Sequence, residues 1–390
     1  MTWLRVNSPL PNMDQPIVHE VDISALIPSL QSHLPYSLPL LRRLQHSRIH
    51  VSSTAKYLTT VSPSSSGTGT GTETGPSPWL AAWVDLHARP ETQVIIYSSL
   101  EALPLHVPSS HDTLDWDRVR AQLLALLSYI KTRLMPEYLQ TIESNASASL
   151  NASPVSRAFK IGHLHTKLFS LLTVSGEYIP NAKMIPGLRV HRYDYPPYNK
   201  YLFAYPPVIS SDTNTNTDTN TDVELSPGYS FTDRHGHRGL SLHHYELICR
   251  RSSVPRTPKS LATFFGVAIY AHSPVLKLEV SPSDGDGTSS SDGDGDRDTD
   301  DPVAWAFLSA EGTLAVLHVE PEHRGRGLAL LASRAVMRRG MTEDGIWGGS
   351  GQKVWVHADV LPQNMASCRV MEKLGGVVGW SCTWTDLEFD

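Results

Sequence analysis

Hydrophobic positions in the first half of the chain form two short apolar runs followed by one long helical repeat. Residues 80–86 and 93–98 are the two runs, and Arg-Pro-Glu between them fits a turn, so they predict neighbouring strands. Apolar side chains then recur at helical spacing, at Trp116, Val119, Leu123, Leu124, Leu127, Ile130 and Leu134. This repeat predicts a helix that Asp115 or Asp117 caps and that Pro136 ends.

A second helix is expected over residues 163–172, which contain two histidines. Side chains two residues apart do not face each other on a helix. We therefore do not expect His163 and His165 to hold one metal ion, and the sequence predicts no metal site.

The second half of the chain alternates between strand and helix patterns, which indicates a mixed α/β sheet. Strands are predicted over residues 245–249, 265–270, 303–308, 313–319 and 353–360, with one or two more over 377–389. Helices are predicted over residues 258–265, 327–339 and 364–374, and two glycines after the last of them fit a helix end.

Three low-complexity stretches of Ser, Thr, Gly, Asn and Asp interrupt these patterns, and we expect each to be disordered. Two of them, 62–78 and 281–301, are interpreted as inserts within domains. The third, 206–224, is interpreted as a linker. The organisation predicted is an N-terminal α/β domain over 1–205 and a second domain over 225–390.

Composition and charge indicate a globular chain with no bulk attraction for nucleic acid or membrane. The net charge is −6, but residues 281–301 alone hold eight Asp and one Arg, so the rest is nearly neutral. The three cysteines are widely separated and form no CxxC pair, which favours a reducing compartment. No secretory signal is evident near the N-terminus, and we expect a cytoplasmic protein, possible also in the nucleus.

The most informative motif lies where a predicted strand runs into a glycine-rich turn that begins a helix. The turn is Arg324-Gly325-Arg326-Gly327-Leu328-Ala329. The backbone N–H groups at a helix N-terminus lack internal partners, and the helix dipole is positive there, so this is an anion site. Arg324 and Arg326 can add hydrogen bonds to phosphate oxygens. The spacing excludes the P-loop and also the GxGxxG fingerprint, which would place a glycine at Leu330.

Arg324, Gly327 and Ala329 match an R-x-x-G-x-A pattern and resemble motif A of the GNAT superfamily of N-acetyltransferases. Residues 364–375 resemble that superfamily's penultimate helix, which starts near an Asn and ends in Lys-Leu-Gly. The resemblance implies a mixed, mostly antiparallel sheet flanked by helices in the C-terminal half.

A looser resemblance, to the glycine-N-acyltransferase-like branch of the superfamily, covers more of the chain. It rests on residues 83–85, 93–101, 160–172, 200–203 and 304–308. It implies that the N-terminal domain has a related but degenerate fold, and that only the second half keeps the cofactor motif.

The resemblance implies that the chain binds acetyl-CoA or another acyl-CoA as co-substrate, without a metal. The pyrophosphate would lie on residues 324–329, and the pantetheine arm would bind the backbone of Leu317, His318 and Val319. A backbone N–H of that strand would stabilise the oxyanion. Asn364 matches a recurrent Asn on the cofactor side.

The resemblance also implies direct attack by an amine, which requires a base. Glycine-conjugating relatives have a carboxylate at the position of Thr313, which cannot serve. Glu311 lies two residues earlier, on the same face of an extended chain, and is one candidate. His318 is the other, with Glu320 on its face. The tyrosine that protonates the leaving thiolate in many members is replaced by Met371.

Three functions remain open from the sequence. The first is an N-acyltransferase, most simply an N-acetyltransferase, that acts on a small-molecule amine or amino acid. The second is a protein or lysine acetyltransferase. The third is a catalytically degenerate module that binds CoA. Catalytic candidates are Glu311 and His318, and the oligomeric state is not encoded in any visible pattern.

Overall fold

The computed structural model describes residues 16–61, 77–102, 110–147, 156–205, 225–272, 300–341, 347 and 354–390. The three expected disordered stretches lie outside the described residues, apart from the last two residues of 62–78 and of 281–301. Within the described part of the chain, no helix combines the length and apolar composition needed to cross a membrane.

The helices and strands are labelled in chain order. The helices are α1 Ile23–Ser32, α2 Leu38–Ser47, α3 Ser110–Tyr129, α4 Met135–Ser147, α5 Thr166–Ser170, α6 Leu242–Arg251, α7 Pro258–Leu261, α8 Leu328–Met341 and α9 Met365–Lys373. The strands are β1 His19–Glu20, β2 Lys56–Thr59, β3 Leu80–Val84, β4 Val94–Ser98, β5 Phe159–His165, β6 Leu188–Tyr193, β7 Tyr198–Tyr205, β8 Tyr229–Ser230, β9 Phe265–Ala271, β10 Ala304–Leu308, β11 Leu314–Val319, β12 Val354–Val360 and β13 Val377–Phe389.

The described residues form two compact units that do not coincide with the two expected domains. The first unit contains those within 1–209, 308–314 and 337–390, and the second contains those within 210–307 and 315–336. The end of the chain therefore groups with the N-terminal part, although we had assigned it to a domain over 225–390. The reason is strand pairing, because β12 and β13 from the end of the chain pair with strands of the N-terminal part.

A nine-stranded sheet in the first unit interleaves strands from both ends of the chain. The order is β1-β2-β3-β4-β5-β13-β7-β12, with β6 also paired to β13. Strand β13 thus lies between two strands of the N-terminal part, and β7 lies between two strands of the C-terminal part. Because every interior strand fills its backbone hydrogen bonds from both neighbours, neither end of the chain completes this sheet alone.

Apolar side chains on the two faces of this sheet make the two cores of the first unit. The larger core joins β3, β4 and β5 to α3 and includes Ile96, Leu123 and Ile161. The smaller one lies under α1 and α2 and includes Leu41 and Trp83. Burial of both faces explains why residues 80–84 and 94–98 are uninterrupted apolar runs rather than alternating patterns.

Two predictions for the first half were wrong in detail. The long helix begins at Ser110, so Asp115 and Asp117 lie inside it, and it continues beyond Pro136 to Ser147. The residues before the proline, Ile130–Leu134, form a π-helical turn, and this wider turn accommodates a residue that has no N–H to donate.

The expected helix over 163–172 was also wrong for its first part, because residues 159–165 form β5 and only Thr166–Ser170 is helical. Strand β5 pairs with β13, with Cys382 opposite His165. Our reason for separating His163 from His165, their spacing on a helix, does not hold because both residues belong to a strand.

The second unit carries a four-stranded sheet in the order β11-β10-β9-β8. Its core contains Ile248 of α6, Leu261 of α7, and Trp305 and Phe307 of β10. The predicted strands over 265–270, 303–308 and 313–319 and the predicted helix over 327–339 are confirmed within two residues. The strand expected over 245–249 was wrong, because these residues belong to α6, whose Ile248 packs in this core.

Candidate active site

The turn between β11 and α8 has the backbone of an anion-binding loop. Gly325 and Gly327 have φ values of +76° and +78°, a region that favours glycine, and Leu328 begins a 14-residue helix. Among the described residues, apart from the adjoining ones in the chain, no atom lies within 4 Å of the place where a Cβ on either glycine would stand. The backbone amides at this end of α8 are therefore approachable, and the helix dipole adds positive potential there.

Two arginines add charge to this loop. The Nε of Arg324 donates to the carbonyl oxygen of Val319 at 3.0 Å, which fixes the side chain against the end of β11. The guanidinium of Arg326 lies 5.9 Å from the ring of Tyr229, and the Tyr229 hydroxyl is 2.9 Å from Nδ1 of His323. Leu328 is buried and Ala329 half-buried, so the loop is anchored from its helical side.

A cavity of about 520 Å³ lies beside the loop, and both Arg324 and His318 line it. The His318 ring stacks on the indole of Trp305, with centroids 4.6 Å apart and planes at 20°. Its Nε2 lies 3.4 Å from Oε2 of Glu320, which is an ion-pair distance but not a well-formed hydrogen bond. Among the described residues, no hydrogen-bond partner is present for Nδ1 of His318.

The carboxylate of Glu320 contacts two side chains. Its Oε1 accepts a 2.9 Å bond from Nε of Arg251, and Oε2 faces His318. Burial alone would raise the pKa of this carboxyl, but the bonds from Arg251 and His318 outweigh it and lower the pKa. Glu320 is therefore ionised at neutral pH.

Strand β11 carries a backbone irregularity two residues before His318. Val316 has φ of +52°, a value that a β-branched residue rarely adopts and that costs about 1–3 kcal/mol. Its side chain packs against the core of the second unit, which holds it in place. Such a residue changes which backbone groups of the strand pair with a neighbour and which remain available.

The other candidate base, Glu311, lies in the first unit on a tight turn. Its residue is 8% exposed, and its Oε1 forms a 3.2 Å ion pair with Nη1 of Arg43. Its Oε2 accepts a 2.8 Å bond from the hydroxyl of Ser309, and its carbonyl oxygen lies 2.9 Å from Nε2 of His357. Thr313, the residue at the usual base position, also contacts that Nε2, at 3.2 Å.

His357 belongs to a buried charged cluster, which we define as Lys200, Asp359, His357, His163 and Cys382. Nζ of Lys200 lies 2.5 Å from Oδ1 of Asp359 and 3.2 Å from Nδ1 of His357. Nδ1 of His163 lies 2.8 Å from Oδ2 of Asp359. The register explains the cluster, because Lys200 on β7 is directly opposite Asp359 on β12.

The donors and acceptors around His357 determine which of its nitrogens carries the proton. An ammonium only donates, so Nδ1 of His357 accepts from Lys200 and Nε2 carries the proton that is donated to Glu311 and Thr313. Burial, with the charge of Lys200, lowers the pKa of His357 to about 4. Although burial opposes it, the charge of Lys200 and the bond from His163 hold the pKa of Asp359 well below its ordinary value.

Two groups of His and Asp in the described residues bring three possible metal ligands together, and hydrogen bonding occupies both. Between His163, His357 and Asp359 the ammonium of Lys200 already supplies the cation. In the second group, His243, His244 and Asp301, Nδ1 of His244 accepts from the backbone N–H of Ser241 at 3.1 Å. Its Nε2 therefore keeps the proton, which it donates to the carbonyl of Asp300 at 3.2 Å.

The remaining sequence candidates lie on α9 in the first unit. Asn364 is the N-cap of α9 and its side chain accepts from the N–H of Ser367 at 3.2 Å. Met371 is buried in the same helix, and Cys368 is buried with its thiol directed at backbone carbonyls of the preceding loop. A buried thiol fits a packing role for Cys368.

The candidate residues are divided between the two units. His318 and Arg324 line one cavity of the second unit, whereas Glu311 and Asn364 belong to the first. Sequence reasoning missed Arg43, Arg251 and Lys200. The sequence pattern that could have indicated the buried charged cluster is the alternation His357-Ala-Asp359. It places an imidazole and a carboxylate on one face of a predicted strand.

Two family models match different parts of the chain. The model described as the N-terminal domain of the acyl-CoA N-acyltransferase verG matches residues 13–201, and the model of FR47-like proteins matches residues 293–385. No protein of curated function matches the sequence significantly.

Solved structures also resemble the chain, at low identity. A Drosophila protein from a structural genomics consortium is 12% identical, with a TM-score of 0.47, over 95% of this chain and 98% of that one. A GCN5-related N-acetyltransferase from Kribbella flavida is 14% identical, with a TM-score of 0.33, over 80% of this chain and 86% of that one. A putative GNAT-family acetyltransferase from Novosphingobium aromaticivorans is 17% identical, with a TM-score of 0.30, over 53% and 69%. These likenesses carry no argument by themselves.

Proposed function

The chain belongs to the GNAT superfamily of N-acetyltransferases, and from this premise we propose that it transfers an acyl group from acyl-CoA to an amine. The observation that carries the proposal is the loop of residues 324–329, whose two positive-φ glycines precede α8 and leave open space at its N-terminus. A pyrophosphate supplies the anion that such a helix end attracts.

Residues 324–329 would hold the pyrophosphate, with Arg324 and Arg326 neutralising its charge. The backbone of Leu317, His318 and Val319 would hold the pantetheine arm and stabilise the oxyanion. By the same resemblance, Asn364 is proposed as a cofactor-binding residue. These assignments come from the resemblance of the motifs and are supported by the open loop geometry.

In the reaction the amine nitrogen attacks the thioester carbonyl, so that a C–N bond forms, the C–S bond breaks and CoA leaves as a thiolate. Primary amines are protonated at neutral pH, with an ordinary pKa of about 10.4 for lysine. A base must therefore take a proton from the amine, directly or through water.

We propose Glu311 as this base and keep His318 as the second candidate. Arg43 forms an ion pair with one oxygen of the Glu311 carboxylate, Ser309 donates to the other oxygen, and His357 donates to the backbone carbonyl of the same residue. His318 is less constrained, because Trp305 positions one ring face and Glu320 only approaches Nε2. It offers an unpaired Nδ1 among the described residues, which keeps it a candidate.

The donor group, the acceptor and the location are further parts of the proposal. We propose an acetyl group or another short acyl chain as the donor group, a small-molecule amine or amino acid as the acceptor, and a cytoplasmic location. The second candidate acceptor is a lysine or N-terminus of a protein. The cavity beside the loop, at about 520 Å³, is of the size that small molecules occupy, which favours the first.

The test is a thermal-shift titration of the purified chain with CoA, acetyl-CoA, longer acyl-CoAs and S-acetyl-pantetheine. A ligand that binds only the folded state stabilises it by about 2.7 kcal/mol at 100 times its Kd. We expect CoA and its thioesters to raise the Tm of the wild type, and S-acetyl-pantetheine, which lacks the pyrophosphate, to raise it far less.

Arg324→Glu should abolish the CoA-induced rise. Arg334→Glu is the matched control, because Arg334 is an exposed residue further along the same helix. It makes the same charge change away from the helix N-terminus and should leave the rise intact. A folded wild type that responds to no CoA species would contradict the proposed function.

A further inference from the structure

The turn that carries Glu311 is a closed unit of backbone hydrogen bonds. The N–H of Gly312 donates to the carbonyl of Ser309 at 2.8 Å, and the N–H of Ser309 donates to the carbonyl of Thr313 at 2.9 Å. Gly312 has φ of +69°. The turn immediately precedes β11, the strand that leads to the anion loop.

Side chains of α2, near the start of the chain, pack directly on this turn. A Cβ on Gly312 would come within 2.8 Å of the Arg42 side chain, so glycine is required both by its φ and by this contact. Arg42 is itself fixed, because its guanidinium donates to Gln45 at 2.8 Å and to the carbonyl of Trp355 at 3.2 Å.

The next residue of α2 holds the Glu311 carboxylate. Arg43 places Nη1 3.2 Å from Oε1 of Glu311, and its guanidinium lies 3.8 Å from the ring centroid of Trp83. Its side chain is 11% exposed, so the pair is shielded from bulk water. Stacking on Trp83 limits the directions in which Arg43 can point.

A second contact to Glu311 comes from His357, which lies towards the C-terminal end of the chain. The Nε2–H of His357 donates to the carbonyl of Glu311, and Lys200 fixes that tautomer by donating to Nδ1. Asp359 in turn binds Lys200 and His163. Because Nε2 already carries its proton, His357 cannot be the base; it acts on the turn through a donated bond.

We propose that Arg43 and His357 are positioning residues for Glu311, and that the N-terminal part of the chain therefore belongs to the catalytic apparatus. Arg43 comes from α2, and Lys200, which fixes His357, comes from β7. This inference rests on the proposed function, since it concerns the base of that reaction. It assigns a role to a region that has no cofactor motif.

The experiment measures acyl-CoA turnover and CoA binding separately in four variants and a control. Turnover is CoA release from acetyl-CoA with a panel of primary amines and with water alone as the acceptor. The variants are Arg43→Ala, Arg43→Lys, His357→Leu and His357→Gln. The control is Arg48→Ala, an exposed residue at the C-terminal end of the same helix.

We expect Arg43→Ala to lower kcat on the order of 10²-fold, the cost of misplacing a catalytic group by about an ångström. The KM for acetyl-CoA and the CoA-induced rise in Tm should stay within about twofold of the wild type. Arg43→Lys, which keeps the charge, should recover part of the rate. His357→Gln keeps a donor and should exceed His357→Leu. Arg48→Ala should behave as the wild type.

Each other outcome is decisive. If folded Arg43→Ala and His357→Leu keep the wild-type kcat, or if their CoA binding falls as far as their kcat, the positioning role is wrong. If the wild type binds CoA but releases none with any amine or water, the positioning role is wrong while the cofactor site stands. If the wild type binds no CoA species, the proposed function itself fails.

Discussion

Two groups in this molecule contain the same chemistry, a histidine, a carboxylate and a cation, in opposite surroundings. In the first unit, Lys200, Asp359 and His357 are almost completely buried. In the second unit, His318 lines an open cavity with Glu320, and the side chain of Arg251 is 50% exposed. The residue types alone would give both groups the same role.

The two groups differ in whether both ring nitrogens of the histidine have hydrogen-bond partners. In His357, Nδ1 accepts from Lys200 and Nε2 donates the single ring proton, so this group can hold its neighbours but cannot exchange a proton without losing a bond. Among the described residues, the ring nitrogens of His318 have one polar contact, the 3.4 Å approach of Nε2 to Oε2 of Glu320, so its hydrogen bonds are not filled. Of the two histidines, the one with both nitrogens bonded therefore holds its neighbours in place, and the one beside the cavity keeps a nitrogen that can form a new bond.

The largest effect is expected from substitution of Glu311, whose backbone carbonyl accepts a bond from His357 of the buried group. We expect Glu311→Gln to lower kcat on the order of 10²–10⁴-fold, the usual contribution of a general base. His318→Gln should lower kcat by less than about tenfold, and both variants should bind CoA as the wild type does. Steady-state CoA release with the best amine of the panel measures both.

The rank order of these two variants decides between the candidates. If His318→Gln loses 10²-fold or more and Glu311→Gln does not, the base is His318, and Glu311 has only a structural role in its turn.

The next effect should be on stability, and it should separate the buried group from the exposed one. Lys200→Met leaves Asp359 buried without its cation, which costs about 3–5 kcal/mol in the free energy of unfolding. Arg251→Met should change that free energy little, because solvent screens an exposed pair. Urea unfolding of both variants beside the wild type measures the difference.

A double variant, Lys200→Met with Asp359→Leu, is the control for charge burial. It should recover much of the loss, since neither group then remains charged and unpaired. A similar loss in Lys200→Met and Arg251→Met would show that burial does not distinguish the two groups.

The smallest effect is the pH dependence of stability below neutral pH. The pKa values of His357 and His165 are lowered to about 4, by burial first and then by the charge of Lys200. Between pH 6.5 and 4 the unfolded chain binds protons at these positions and the folded chain does not, so the free energy of unfolding falls across that window. Above pH 6.5 neither state binds them, and this contribution is constant.

Each of these histidines should account for a loss on the order of 3 kcal/mol at most. Urea unfolding between pH 4 and 8 measures it, and His357→Gln should flatten the curve. An unchanged slope in that variant would mean that His357 does not remain neutral in the folded state.

Local pattern was sufficient wherever a segment's structure depends on its own residues. The strand-turn-helix of residues 314–341 was predicted within two residues, because glycines at positive φ and an apolar repeat are local properties. The prediction failed where the structure of a segment depends on the elements that pair or pack with it. Residues 163–165 became strand because β13 pairs with them, and residues 245–249 became helix because Ile248 packs on β10.

By itself, the sequence determined the glycine-rich turn and its place before α8, since these follow from residue types at fixed spacing, and the resemblance to a known superfamily supplied the candidates Glu311 and His318. Only the tertiary structure decided that β7 and β13 interleave, that Lys200 is opposite Asp359, and that Arg43 reaches Glu311. Those contacts join residues that are about 160 and 270 positions apart, and no local pattern records which strands become neighbours.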